Sequence, residues 1–260
     1  MRRKIALLTE YDGTRYCGWQ WQKNAMSIQE KLTQALQKVL DQPICLCGCS
    51  RTDSGVHARG HVSHFWMTHS IPAERLPLAL LHALPQDIVV RKAADVDPSF
   101  HARYDAQRKQ YSYRIWNDRL PSALGHRYMA HIPQKLDLSL MREAANLFIG
   151  TNDFRAYMAA GGQVKSTIRR IDRVDLIEAD KTLTFIVEGN GFLYNMVRIM
   201  VGTLVYIGQG KLEPRSITES FKTGRRQIVG ITMPPEGLCL EHVWYQKPVF
   251  DERGRLDDME

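Results

Sequence analysis

The stretch Asn190 to Ile207, NGFLYNMVRIMVGTLVYI, is apolar almost all round at helical spacing. A helix without a polar face has to be enclosed by other elements, so it must sit inside a layered core. It is too short to cross a membrane and carries Arg198 in its middle, where a cation in hydrocarbon is costly. A buried guanidinium also costs several kcal/mol if left unpaired. Arg198 therefore needs a counter-ion. Any nearby carboxylate would serve, and the sharper expectation is a functional carboxylate at the base of a cleft.

A second stretch offers such a group. Ile44 to Cys49 reads as a strand, Gly48 breaks the apolar run, and Ser50-Arg51-Thr52-Asp53-Ser54-Gly55 follows as a polar turn, with His57 close behind. A carboxylate on a tight turn leaving a strand is open to several roles: nucleophile, base, metal ligand, or partner of a structural arginine. Most Asp in turns only cap backbone N–H groups. Cys45, Cys47 and Cys49 alternate, which is poor spacing for zinc and awkward for mutual disulfides. They read as small buried apolar residues in a reducing compartment. His57, His61 and His64 invite a metal reading, but no Cys or carboxylate spacing supports it, and surface or RNA-facing histidines are the expectation.

The other elements fall into two similar sets. Lys4–Tyr11 is a strand with Ile5, Leu7 and Tyr11 on one face. The loop after it mixes Tyr16, Trp19 and Trp21 with Arg15 and amides, which suits either base stacking or packing at a core edge. Ser27–Leu40 is a helix with a Ser27/Glu30 capping box and a stripe of Ile28, Leu32, Ala35, Leu36 and Val39. A strand over 60–67, a helix over 72–84 and a strand over 88–96 follow. A turn-rich connector, 98–108, precedes a strand 111–116 with Tyr111, Tyr113 and Ile115 on one face. A helix over 137–149, a basic glycine-containing loop over 159–173, paired strands either side of Asp180-Lys181, a short helix after Pro214 and a closing strand to Tyr245 complete the order.

The repeated strand–helix–strand pattern predicts an α/β (α+β) chain of two domains with largely antiparallel sheets, 1–103 and 104–247, and a loose charged tail, 248–260. At 260 residues with 44% apolar content the chain has ample material for a core. Its net charge of +7 favours a polyanionic partner. The N-terminal apolar run is too short for a signal peptide, so a cytoplasmic location is expected. Lys165, Arg169 and Arg170 on the basic loop read either as a phosphate clamp or as a solvated surface.

Four segments, YDGTRYCGWQ, GCSRTDSGVHA, SFHARYDAQRKQYSYRI and GNGFLYNMVRIMVGTL, together resemble the tRNA pseudouridine synthase A family in order and spacing. The resemblance runs from about Ile5 to Tyr245. One departure is visible: the family often has GAGRTD where this chain has Gly48-Cys49-Ser50 before Arg51, and Ser50 lacks glycine's freedom at positive φ. The resemblance implies isomerisation of uridine to pseudouridine at positions 38, 39 and 40 of the tRNA anticodon stem-loop. It implies a homodimer, no metal and no organic cofactor. The implied fold joins the two sheets into one long sheet, helices on its outer face, with a basic RNA-binding cleft between the domains.

By the same resemblance Asp53 is the catalytic aspartate, Arg198 its partner and Tyr111 the active-site tyrosine. Arg51 fills or holds the space of the displaced base. Arg15, Arg103, Lys165, Arg169 and Arg170 are further candidates for tRNA backbone contacts. Competing expectations are an RNA-binding protein without catalysis, a small-molecule hydrolase using Asp53, and a zinc enzyme built on the three histidines.

Overall fold

A computed structural model describes residues 2–162 and 164–250; the expected tail lies outside the described residues from 251 on. Among the described residues the strands are β1 (Arg3–Tyr11), β2 (Cys47–Gly48), β3 (His57–Met67), β4 (Ile88–Val96), β5 (Ala106–Trp116), β6 (Ala130–His131), β7 (Gly150–Asp153), β8 (Ile168–Ala179), β9 (Thr182–Gly189) and β10 (Leu238–Tyr245). The helices are α1 (Ile28–Leu40), α2 (Leu76–Leu80), α3 (Leu138–Asn146), α4 (Met196–Gly208) and α5 (Arg215–Thr223).

All ten strands join one sheet, in the order β4-β1-β3-β10-β5-β9-β8-β7, with β2 on β3 and β6 on β5. Pairing is antiparallel except at β10/β3 and β5/β6. The expected mixed α/β fold with a large, mostly antiparallel sheet is therefore present. β10, the last strand in the chain, enters the middle. Cys239 and Leu240 pair with His57 and Ala58 on one side, and Leu240 pairs with Tyr111 on the other. Ala58, Leu240 and Tyr111 thus stand abreast, which sets Tyr111 two strands from the segment that follows Asp53.

The period-two pattern shows in burial. Tyr111, Tyr113 and Ile115 on β5 and Leu183, Phe185 and Val187 on β9 are all at most 5% exposed, as alternating strand residues facing one core should be. α4 packs against β5 and α3. Eleven of its thirteen residues are buried, so the all-round apolar run is enclosed as its composition requires. α1 starts where expected: Ser27 Oγ accepts from Glu30 N at 3.2 Å, a cap worth about 1 kcal/mol. Leu40 rather than Val39 completes its buried stripe.

Several expectations are corrected. α4 begins at Met196, not Asn190, because Asn190 is still bonded to β8: its N–H donates to Arg170 O at 3.0 Å and its Oδ1 accepts from Arg170 N at 3.0 Å. Ile44–Cys49 is mostly not a strand; only Cys47 and Gly48 pair, with His64 and Ser63. Its other backbone groups take other partners, such as Gln29 Nε2 on Leu46 O at 2.9 Å. The cysteines do not share one buried face: Cys49 is buried, Cys47 half-buried and Cys45 exposed. Much of the basic 159–173 loop is strand, with Arg169, Arg170 and Arg173 on β8; Gln163 lies outside the described residues. The helix expected over 72–84 shortens to a turn and the single turn of α2.

Candidate active site

The loop that carries Asp53 is held from every side. Trp19 N donates to Thr52 O at 3.1 Å and Gly55 N to Tyr16 O at 3.2 Å. Thr52 Oγ1 and the Tyr11 hydroxyl are 2.8 Å apart. Lys109 Nζ donates to Cys49 O at 2.8 Å, and His61 Nε2 donates to Ser50 O at 3.0 Å. Gly18 allows this docking. It has φ +94°, and a Cβ there would lie 2.3 Å from Thr52 O, so only glycine fits. The aromatic loop 16–19, read as stacking on bases or packing, turns out to be scaffold: Tyr16 and Trp19 are 4% and 2% exposed, and only Trp21 is open.

Asp53 and Arg198 meet as the apolar helix requires. Arg198 Nη1 lies 3.5 Å from Asp53 Oδ2, and the two side chains are 14% and 17% exposed, arginine first. The guanidinium is fixed by two further bonds, Nε to Met233 O and Nη1 to Asn195 Oδ1, both 2.6 Å. Asn195 sits at the N-cap of α4 with φ 60° and makes no side-chain cap; its amide oxygen is given to the arginine instead. Burial raises the pKa of Asp53 above its usual value, and Arg198 offsets that only in part. Arg198 therefore does not bring the carboxyl back to its usual value; desolvation outweighs the ion pair.

Tyr111 is close enough for the Asp53 charge to act on it, but burial is the larger cause that pushes its phenol pKa up. Its hydroxyl lies 3.1 Å from Ser50 Oγ and shares a hydrogen bond with it. Phe192 meets its ring edge-on at 5.1 Å. Ser50, the residue that departs from the family pattern, thus contacts the tyrosine directly. It needs no glycine: the non-glycine positive-φ residues among those described are Asp41, Asp180 and Asn195.

A family model described as tRNA pseudouridine synthase matches residues 7–105 and 144–246. The chain belongs to the tRNA pseudouridine synthase family. The tRNA pseudouridine synthase A of Thermoanaerobacter sp. (strain X514) is 46% identical over 243 residues, covering 94% of this chain and 100% of the relative. A tRNA pseudouridine synthase A 2 of Clostridium perfringens (strain 13) is 43% identical over the same shares. A solved Cbf5-Nop10-Gar1 complex aligns with 91% of this chain and 48% of its own at 11% identity and a TM-score of 0.36, too loose to add to the sequence matches. Asp53 and Arg51 fall in the first span matched to the synthase family and Arg198 in the second, while Tyr111 falls between them.

The remaining candidates of this synthase family member scatter. Arg51 is exposed and has no hydrogen bond or ion pair among the described residues. Arg15 is committed to Asp87 at 2.5 Å, and Arg170 to Asp172 at 2.7 Å. Lys165 and Arg103 are exposed. Arg169 is half-buried and donates to Ser166 O and Ile168 O at 2.9 and 2.6 Å.

The histidines are buried rather than RNA-facing: His57, His61 and His64 are 6%, 0% and 7% exposed. Burial drives His61 down to about 3, so it stays neutral. The three make no metal cluster. His64 instead groups with Cys47 and His101, ligand atoms within 4.8 Å. Yet Nδ1 of His64 accepts from Ala102 N, and Nδ1 of His101 from Arg103 N and Tyr104 N. Those bonds place the ring protons on Nε2, which in His101 is the nitrogen 3.7 Å from Cys47 Sγ, and this does not fit a metal-ligating pair.

Sequence reading missed the parts played by Lys109, Asn195 and the Met233 carbonyl, and it had His61 at the surface or facing RNA rather than supporting the Asp53 loop. Lys109 had a signal, since it precedes Tyr111 by two on an alternating strand. The roles of His61 and the Met233 carbonyl had none, because they depend on partners 11 and 35 residues away; Asn195 lies only three residues before Arg198.

Proposed function

We propose that this protein isomerises uridine to pseudouridine at positions 38, 39 and 40 of the tRNA anticodon stem-loop, with Asp53 as the catalytic group. The observation that carries the reading is the Asp53–Arg198 pair at 3.5 Å, on a loop bonded at residues 49, 50 and 52. Family membership and the named relatives support the same reaction.

The chemistry breaks the N1–C1′ bond, turns the base while it stays bound, forms C5–C1′, and releases the C5 proton. Nothing is oxidised and no group is lost, so the reaction itself requires no cofactor. Asp53 serves either by attack on the sugar or by taking a proton from it; both routes need the carboxylate ionised. Arg198 stabilises that form and fixes its rotamer. Tyr111 lies beside the carboxylate as a wall for the base. With its pKa raised by burial it remains a neutral phenol, so it is a poor base.

The target has to leave its stack to reach Asp53, at a cost of roughly a few kcal/mol. Arg51, exposed and uncommitted, is suited to hold the vacated space. Arg103, Lys165 and Arg169 supply backbone contacts; Arg15 and Arg170 do so only by sharing their carboxylate partners. We further read the protein as a cytoplasmic homodimer whose protomers divide at 103/104. In support of that division, β1–β4 cluster at one end of the sheet order and β5–β9 at the other, with β10 returning between them. Among the described residues no helix is long and apolar enough to cross a membrane.

Transcribed tRNA carrying tritium at uridine C5 tests the reaction. Wild type should release tritium and Asp53→Asn should not. Binding without release by wild type would favour a non-catalytic RNA-binding protein, and equal release by both would mean that another group does the chemistry.

A further inference from the structure

Lys109 is the cation the mechanism above leaves unused. It lies two residues before Tyr111 on β5, so both side chains leave the same face of the strand. Its ammonium spends one proton on the Cys49 carbonyl. Burial lowers its pKa, and the charges of Arg103 and Arg169 lower it further. Geometry puts the three near one another: Lys109 pairs with Gly189 of β9, two residues before the Gly191 that Arg169 Nε approaches, and exposed Arg103 follows Ala102, whose N–H donates to His64, the cross-strand partner of Cys47. Arg169 is pinned there by the carbonyls of Ser166 and Ile168. Its Nε lies near Gly191, beside the Phe192 ring that meets Tyr111.

The neighbouring arginines show what is unusual about these three. Arg108 pairs with Glu188 at 3.2 Å, Arg170 with Asp172 at 2.7 Å, and Arg173 with Glu188 at 3.5 Å. Arg103, Lys109 and Arg169 have no carboxylate partner among the described residues. Like charges held together at reduced dielectric repel one another, and the arrangement becomes favourable only with an anion among them. A guanidinium fork and an ammonium together suit phosphate oxygens.

We propose that Lys109, Arg103 and Arg169 form a subsite for one backbone phosphate of the RNA, the phosphate flanking the uridine that enters the Asp53 pocket. The assignment rests on the reading of Asp53 given above. It fits the register: Lys109 and Tyr111 are separated by about 7 Å along the strand, so a base against Tyr111 leaves its own backbone within reach of the cluster. Lys109 also joins the phosphate to the catalytic loop, through the carbonyl of Cys49.

The test uses synthetic anticodon stem-loops in which one phosphate at a time is replaced by a neutral methylphosphonate. Binding is measured for wild type, Arg169→Gln, Lys109→Met and Lys109→Arg. For wild type, one linkage beside the target uridine should cost about 10-fold in affinity on replacement, the scale of one charge-assisted contact. The same replacement should cost less than about 2-fold in Arg169→Gln and Lys109→Met, where the contact is already lost, and the full penalty should return in Lys109→Arg. Arg169 is half-exposed, so its variant keeps the test valid should Lys109→Met fail to fold. Equal penalties in wild type and both neutral variants at every linkage would overturn the subsite. Because the readout is binding, it stands apart from the parent reading. Tritium release with additive penalties removes only the subsite, whereas coupled penalties without release keep the subsite and remove the reaction.

Discussion

Asp53 is expensive to ionise where it stands. Its folded pKa is raised above 3.8, chiefly by burial. Folding therefore favours the protonated form, and the contribution is most favourable at low pH and lost as pH rises through the folded value. Two outcomes follow from the sign. The acid limb of kcat/KM should lie above the pKa of an ordinary aspartate, because catalysis needs the carboxylate. Asp53→Asn should melt no lower than wild type at pH 7, with any advantage vanishing below about pH 4, where both side chains are neutral. Arg198 is not stranded in that variant, since Met233 O and Asn195 Oδ1 still receive its protons. Calorimetry across pH checks this; a markedly lower melting temperature for Asp53→Asn at pH 7 would mean that the ion pair outweighs desolvation.

Among the elements, α4 bears on both stability and chemistry. It approaches the 229–233 segment so closely that a Cβ on Gly202 would lie 2.0 Å from Ile231 O. Gly202→Ala must push that segment away, at a cost of about 1–3 kcal/mol for overpacking. The same segment supplies Met233 O to Arg198, so kcat should fall with stability. Ser27→Ala on α1 is the contrast: it should lose about 1 kcal/mol with its cap and leave kcat unchanged. Urea unfolding together with tritium release measures both. Wild-type stability in Gly202→Ala would show that this contact yields easily. Both helices were legible from their apolar spacing, but the start of α4 was not. A strand partner, Arg170, holds Asn190 in the ladder, and no local signal announces a partner twenty residues away.

At the scale of the whole molecule, β10 closes the sheet between β3 and β5 and so sets Tyr111 two strands from β3, the strand that follows the Asp53 loop. The excess charge of +7 acts at this scale too. RNA affinity should fall steeply with salt, with log K losing roughly 0.7–0.9 per decade of salt for each phosphate contact. Filter binding of tRNA between low and physiological salt checks it, and an affinity indifferent to salt would remove the electrostatic part of the functional reading.

The sequence by itself determined the family, through motifs that keep their order and spacing. It also determined the buried helix and its need for a counter-ion, because composition and periodicity are local and a desolvated guanidinium has to be met by something. Only the tertiary structure decided which contacts meet it and at what cost. Asn195 is taken from capping to hold Arg198. His61 is buried neutral under Ser50, and the loop that suited either base stacking or packing at a core edge became the scaffold of Asp53. Lys109 was left among cations instead of carboxylates. Apart from the Asn195–Arg198 bond, which spans three residues, each of these depends on groups brought together from separate parts of the chain, where desolvation and hydrogen-bond partners, rather than residue type, set what a side chain can do.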